Sequence, residues 1–178
     1  MKIIDIKTQD IRFPTSKDNL GTDAVHVDCD YSATYVTIFT DQEDLNGIGL
    51  TFTIGKGNDL CCTVIEYFKE FIIGKDIQEI EKNIASIWEK ITNHSQLRWV
   101  GPQKGVTHLA AAAFFNAVWD LISKFHKKPL WRYIIELETR DLLDKLSFSY
   151  IDDVITKHEA AKDRKSTRLN SSHTVISY

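Results

Sequence analysis

The sequence predicts an α+β domain, a three-stranded antiparallel β-meander followed by a helical bundle. Residues 2–54 are rich in β-branched residues and are divided by turn signals. From residue 60 onward, apolar residues recur at spacings of three and four. The strands precede the helices instead of alternating with them, which argues against a doubly wound sheet.

Residues 2–13, KIIDIKTQDIRF, read as the first strand and stop at Pro14. A polar loop with Ser16, Asn19 and Gly21 then runs to about Ser32. It is long for a hairpin connection, which marks it as functional or mobile. Residues 33–40 are a second strand, and Asn46-Gly47 signals a turn. In residues 48–54, Ile48, Leu50, Phe52 and Ile54 alternate with Gly49, Thr51 and Thr53, the mark of a half-buried strand. Gly55-Lys56-Gly57 breaks it, and Asn58 or Asp59 is placed to cap a helix. Leu60, Val64, Phe68, Phe71 and Ile72 share one face of that helix, which Gly74 ends. Ile77, Ile80, Ile84, Ile87 and Ile91 predict a second amphipathic helix. Thr107 is placed to cap a third, over 108–126, whose Ala110–Ala113 stretch permits close approach by neighbours. Lys127-Lys128-Pro129 stops it, and short helices follow at 130–137 and 139–145. Residues 147–151 suit a strand, and 156–162 begin another helix.

The chain has 178 residues, 43% hydrophobic and 26% charged. That is enough for one domain with a real core, and it excludes a largely disordered or collagen-like chain. No uninterrupted apolar run reaches the roughly 20 residues of a membrane span. The N-terminus interleaves Lys2, Asp5 and Lys7 with aliphatics and lacks a secretory apolar segment. A net charge of −3 argues against a nucleic-acid platform. Cys29, Cys61 and Cys62 lack Cys-x-x-Cys spacing and suit packing or surface thiols in a reducing compartment.

Residues 163–178, DRKSTRLNSSHTVISY, are polar and aperiodic. They read as a disordered tail. Asp163 to His173 also resemble an in-frame translation of a common sequencing adapter, and Ile176-Ser177-Tyr178 match the constant stretch beyond its index. The expectation is that the native frame was cut near Lys162 and that the natural protein continues.

The chemical motifs are sparse. The six histidines are scattered without zinc-type spacing. Glu43/Asp44 and Asp152/Asp153 are sequence neighbours and read as solvated turns before an acid/base pair. Gly55-x-Gly57 is a fragment of a phosphate loop or, more simply, a strand-to-helix turn. Composition and spacing stop at an α+β domain.

The third helix carries more. Ala111-Ala112-Ala113-Phe114-Phe115-Asn116-Ala117-Val118-Trp119-Asp120-Leu121, then Lys124 and Lys128-Pro129-Leu130, resembles the N-terminal signature of the mandelate racemase/muconate lactonizing branch of the enolase superfamily. Asn116 stands where many members have Glu, and Phe125–Lys127 replace a Gly-containing turn. Other stretches resemble the L-fuconate dehydratase subgroup and its mitochondrial-enolase-like relatives. These are Asp10 to Ser16, Gly21 to His26, Asp28 to Ala33, Gly49 to Gly57 and Gln96 to Val106. The resemblance covers about residues 3–155.

That resemblance implies an enolase-like capping domain over 1–146, the start of a linker or barrel region over 147–162, and no barrel. In the family the cap closes over a (β/α)-barrel. The barrel supplies a Lys-x-Lys base or acid, three carboxylates for Mg²⁺ and an opposing His. The reaction removes the proton α to a carboxylate and then the β-hydroxyl. Residues 1–162 contain none of that apparatus, so no catalytic or metal residue is assigned, and the fragment is expected to be inactive and to hold no Mg²⁺ itself. The resemblance places Gly21, Thr22, Asp23 and Tyr31 against an acid-sugar substrate, with His26 and Trp99 as weaker candidates. Trp119 and Asp120 are assigned to structure. The exposed barrel-facing surface is expected to promote self-association, and no nucleic acid or membrane partner is expected. The alternatives are a short isoform acting as a binding module and the cap of another acid-sugar dehydratase or racemase. Relatives of this kind are mitochondrial or cytosolic, and no Arg-rich presequence is evident.

Overall fold

The computed structural model describes residues 1–101 and 105–164. Strands β1 (Ile3–Arg12), β2 (Ser32–Thr40) and β3 (Asn46–Thr53) form one antiparallel sheet in that order. Thr37 is opposite Lys7 on one side and Ile48 on the other. Helices α1 (Asn58–Phe68), α2 (Ile77–Lys82), α3 (Ile84–Thr92), α4 (Val106–Phe125), α5 (Leu130–Glu136) and α6 (Thr139–Asp144) follow. Residues 157–164 are helical as well. The meander and the helices after it are as the sequence predicts. The proposed tail beyond residue 164 and the Pro102–Lys104 part of the 96–106 motif lie outside the described residues.

The core lies between one face of the sheet and α1, α3 and α4. Ile6, Val36 and Ile38 meet Ile65, Phe68, Phe114 and Leu121, all of them buried. Phe68 and Phe114 pack edge to face, with ring centroids 5.6 Å apart. Helix α4 comes closest to the sheet over β3, because β3 presents glycines there. A Cβ placed on Gly47 would stand 2.2 Å from the Ala117 carbonyl oxygen, and one on Gly49 2.2 Å from that of Ala113. Glycine on the strand and alanine on the helix let the two backbones meet. Helix α4 is long and apolar enough to cross a bilayer by composition, but most of it is buried inside this fold.

This packing decides which way β3 faces. Gly47, Gly49, Thr51 and Thr53 point into the core. Ile48, Leu50 and Phe52 point out and are 50%, 41% and 54% exposed. The alternation is the one in the sequence, but the small and polar row is the buried one.

The outer edge of β3 is closed by the polar residues of α4. Asn116 Nδ2 donates to the Leu50 carbonyl at 3.2 Å, and the Ile48 amide donates to Asp120 Oδ2 at 2.8 Å. Lys124 Nζ donates to the Asn46 carbonyl at 3.1 Å and pairs with Asp120 at 2.6 Å. The spacing explains the match. Residues four apart on a helix advance about 6 Å, and residues two apart on a strand advance about 6.6 Å. An edge strand left unpaired would recruit another chain. Asp120 is therefore a structural contact, as expected, and Trp119 is half-buried against the core.

Several local expectations are corrected. The isoleucine series spans two helices, α2 and α3, although all five residues are buried. The break falls at Asn83, whose side-chain and backbone amides both donate to the Glu79 carbonyl, at 2.9 and 3.1 Å. Helix α1 starts after Gly57, and Asn58 is buried at its first position without capping it. Helix α4 likewise starts after Gly105 with no side-chain cap, and Thr107 is buried. Leu60 is exposed. Residues 147–151 are not a strand: 149–151 form a turn, closed by the Ile151 amide donating to the Phe148 carbonyl at 2.9 Å.

The short C-terminal helices are anchored on Glu81. Its carboxylate accepts from the Tyr133 hydroxyl and lies 2.9 Å from His126 Nε2 and 3.5 Å from Lys145 Nζ. The Tyr133 and His126 rings stack at 4.8 Å.

Candidate functional site

The long β1–β2 loop and the β3–α1 turn meet at one end of the sheet. The Asp30 amide donates to the Ile54 carbonyl at 3.1 Å, which joins the two segments. Thr15 Oγ1 donates to the Cys29 carbonyl at 2.9 Å and accepts from the Tyr31 amide at 3.0 Å. Asp30 Oδ1 accepts from the Ser16 hydroxyl at 2.7 Å and the Ser16 amide at 3.1 Å, which hold its carboxyl below the usual range. Between the two segments lies a cavity of about 490 Å³, walled by Arg12, His26, Asp28, Asp30, Ile54 and Lys56 among others.

Gly21 and Tyr31 make one unit. The Tyr31 hydroxyl donates to the Gly21 carbonyl at 2.5 Å, and the Cys29 thiol reaches the same oxygen at 3.4 Å. Gly21 has φ +71°, and a Cβ there would fall 2.0 Å from Tyr31 Cε2. Only glycine provides both the backbone angle and the space. The neighbouring Cys29 thiol, then desolvation, pushes the Tyr31 hydroxyl above its usual pKa, with smaller contributions from the charges of Cys29 and Asp23. The Tyr31 ring also packs against Phe52, tilted by 31° with centroids 5.3 Å apart.

Asp23 organises the loop tip. Its Oδ1 accepts from the His26 amide at 2.6 Å and the Val25 amide at 2.8 Å, and the His26 ring Nδ1 lies 3.2 Å from Oδ2. The backbone amides of His26 and then Val25 hold its carboxyl below the usual range. Thr22 Oγ1 donates to the Asn19 carbonyl at 3.1 Å. Five of the six residues singled out in the sequence, Gly21, Thr22, Asp23, His26 and Tyr31, thus share one hydrogen-bonded loop.

Trp99 is not with them. It is 85% exposed at the middle of a short 3₁₀ turn, Arg98–Val100, and lines a separate groove of about 680 Å³ with Leu60, Tyr67, Glu70 and His94. Sequence order alone does not place a residue from the α3–α4 connection at the β1–β2 end of the sheet.

The sequence reading missed Asp28, Asp30 and Lys56 as cavity walls, and it missed the support behind them. Asn58 Oδ1 accepts from Thr34 Oγ1 at 2.8 Å and Thr53 Oγ1 at 3.0 Å. Its Nδ2 donates to Asp10 Oδ1 at 2.6 Å and the Ala33 carbonyl at 3.1 Å. Gly55-Lys56-Gly57 was the available signal, a lysine flanked by glycines just after a strand. Among the described residues, no group of three or more His, Cys, Asp or Glu is arranged to hold a metal ion. What the arrangement offers is hydrogen-bonding groups, backbone carbonyls and fixed charges around a solvent-open cavity. That equipment has the chemistry to hold a polar molecule.

Residues 23–134 match the model of the mandelate racemase/muconate lactonizing enzyme N-terminal domain. The chain is 45% identical over 162 residues to mitochondrial enolase superfamily member 1 of Xenopus laevis, covering 90% of this chain and 36% of that protein. It is 42% identical over 158 residues to L-galactonate dehydratase of Hypocrea jecorina, covering 89% of this chain and 35% of that protein. The crystal structure of human mitochondrial enolase superfamily member 1 superimposes with a TM-score of 0.91 at 39% identity, covering 97% of this chain and 39% of that one. The structure of L-talarate dehydratase from Polaromonas sp. JS666, complexed with Mg and L-glucarate, shares the fold, with a TM-score of 0.55 at 17% identity over 83% of this chain and 40% of that one. The chain thus spans little more than a third of the length of the curated relatives it matches. A family match over more than half its residues, on a three-stranded meander backed by helices, shows that the chain belongs to the mandelate racemase/muconate lactonizing enzyme family of the enolase superfamily and carries its N-terminal capping-domain fold.

Proposed function

We propose that this chain is the lid of an acid-sugar dehydratase resembling L-fuconate dehydratase. The observation that carries the reading is the folded β1–β2 loop, with Gly21 under Tyr31 and Asp23 and His26 at its tip; His26, Asp28 and Asp30 of that loop line the cavity at one end of the sheet, and Gly21, Thr22, Asp23 and Tyr31 stand behind that wall. Its own residues bind and orient substrate. The Tyr31 and Thr22 hydroxyls, whose protons go to the Gly21 and Asn19 carbonyls, keep lone pairs that accept from the substrate, and Asp23 Oδ2, beside the His26 ring, has room to accept from a sugar hydroxyl as well. The described residues hold no metal-ligating cluster, so no catalytic step is assigned to them. Proton abstraction, loss of the β-hydroxyl and any magnesium belong to the part of the relatives that this chain does not cover.

The L-galactonate dehydratase among the relatives supports a second substrate assignment within the same reading, L-galactonate in place of L-fuconate. One assay separates these possibilities. The 178-residue chain with Mg²⁺ and either acid is expected to form no 2-keto-3-deoxy acid. Residues 1–162 joined ahead of the remaining two thirds of the Xenopus laevis relative are expected to form it, and the faster of the two acids identifies the substrate. Turnover by the chain alone, or none by the fusion, refutes the lid reading.

The same reading accounts for the outer face of the sheet. Ile48, Leu50 and Phe52 stand exposed there, beside Tyr35 opposite Leu50. A lid separated from a second domain leaves such a face in water, and the chain is expected to self-associate in size-exclusion chromatography. A monodisperse monomer that melts cooperatively overturns that expectation.

A further inference from the structure

Lys56 walls the cavity, but nothing described so far uses its ammonium. It stands between two glycines in the left-handed region, Gly55 at φ +115° and Gly57 at φ +89°. Behind it, fully buried Asn58 is held by Thr34, Thr53, Asp10 and Ala33. In front, Gly55 packs so closely on the loop that a Cβ there would be 3.1 Å from Asp30 Cβ. A turn supported on both sides fixes the root of its side chain.

Three side chains able to carry positive charge line the cavity: Arg12, His26 and Lys56. Arg12 is gripped by Asp10 at 2.7 and 2.9 Å and by Asp59 at 3.1 Å. His26 lies against Asp23. Lys56 is in none of the ion pairs seen among the described residues, and neither is Asp28 on the loop wall. An ammonium offers donors only and a carboxylate acceptors only, whereas a hydroxyl serves both. Asp28 and Asp30 also offset the charge of the ammonium, so the cavity is no strong pole for an anion. It suits the hydroxyl-bearing end of a sugar acid better than the carboxylate end.

We propose that Lys56 contacts the substrate. Its ammonium donates to hydroxyl oxygens of the acid sugar while Asp28 accepts from hydroxyls on the loop side, so the two walls read a pair of adjacent hydroxyls. The inference rests on the lid reading and adds to it a residue and a chemical feature of the ligand.

The test is amide NMR of the ¹⁵N-labelled 178-residue chain, titrated with L-fuconate and, separately, with 3-hydroxybutyrate, an acid with one hydroxyl. L-Fuconate is expected to shift the amides of residues 55–57 together with those of 21–23, and 3-hydroxybutyrate to shift both sets far less. Lys56→Met is expected to weaken L-fuconate binding about tenfold, and Lys56→Arg to restore most of it. Unchanged affinity in Lys56→Met, with shifts confined to residues 21–31, overturns the role of Lys56 and leaves the lid reading standing. Equal responses to the two acids overturn the reading of adjacent hydroxyls. No shift at either wall overturns both the inference and the lid reading beneath it.

Discussion

Replacing Gly49 with alanine tests the packing of α4 on β3, because it adds one methyl group where the two backbones touch. The new Cβ would stand 2.2 Å from the Ala113 carbonyl oxygen and 2.4 Å from the Ala117 nitrogen. Ordinary contacts of this kind are about 3.3 Å or more, so the helix must retreat by about 1 Å. Both obstructing atoms are backbone, so no side-chain rotation relieves the clash. Overpacking of this sort costs about 3 kcal/mol at the upper end of its usual range. For a domain of this size that lowers Tm by about 6–12 °C. The assay is thermal unfolding followed by circular dichroism, with Gly74→Ala as the control. Gly74 has φ +78° and nothing within 4 Å of a would-be Cβ, so its substitution carries only the backbone penalty, about 1 kcal/mol. If Gly49→Ala melts within a degree of the unmodified chain, or above Gly74→Ala, close backbone approach does not hold α4 on the sheet.

Other perturbations follow from the same geometry. Gly21→Ala forces the Tyr31 ring from its place, and it is expected to abolish acid-sugar binding in the titration above while moving Tm by only a few degrees, because the loop is exposed; unchanged binding would contradict the proposed site. Asp120→Ala removes the acceptor of the Ile48 amide and the partner of Lys124 and is expected to cost about 1 kcal/mol, with faster hydrogen exchange at the β3 amides as the direct measurement. Glu81→Ala strands the Tyr133 hydroxyl and Lys145 and is expected to cost about 1–3 kcal/mol by urea unfolding. Glu81 is penalised by desolvation, but the Tyr133 hydroxyl, His126 and Lys145 outweigh that and lower its carboxyl. Its stabilising contribution is therefore full above the unfolded value of about 4.3 and is lost as pH falls through the lower folded value; a pH–stability curve over that window should flatten in Glu81→Ala. Leu50→Thr with Phe52→Thr changes exposed positions and is expected to suppress self-association without lowering Tm.

Much of the fold was legible, because period and punctuation were strong. The five isoleucines between Ile77 and Ile91 are all buried as their spacing required. What spacing could not supply was the break at Asn83. At that residue a side-chain amide joins the backbone amide on the Glu79 carbonyl, a local contact that a periodic pattern does not encode. The third strand shows the same limit. Its alternation was plain, but alternation gives a period and no side. The side was settled by volume. Helix α4 can reach β3 only across Gly47 and Gly49, and that forces Ile48, Leu50 and Phe52 outward whatever their hydrophobicity.

The site followed a different logic, and the loop shows why. Gly21, Thr22, Asp23 and Tyr31 were singled out through resemblance, and their proximity is carried by contacts between residues up to ten apart, which no local rule predicts. Lys56 was visible in the sequence but had no meaning there, because its wall is set by Asn58 reaching back to Thr34, Ala33 and Asp10 on the other two strands. The loop also satisfies much of its own polarity. Asp23 is bound to the Val25 and His26 amides, Thr22 to Asn19, Thr15 to Cys29 and Tyr31, and Asp30 to Ser16. A loop of this length left unsatisfied would sample many shapes, and a ligand would have to order it at a free-energy cost on binding. These internal bonds order it in advance. The Lys56 ammonium and the Asp28 carboxylate, in none of the ion pairs seen among the described residues, stand on two walls of one cavity, where the proposed polyhydroxy ligand would supply the donors and acceptors that each lacks.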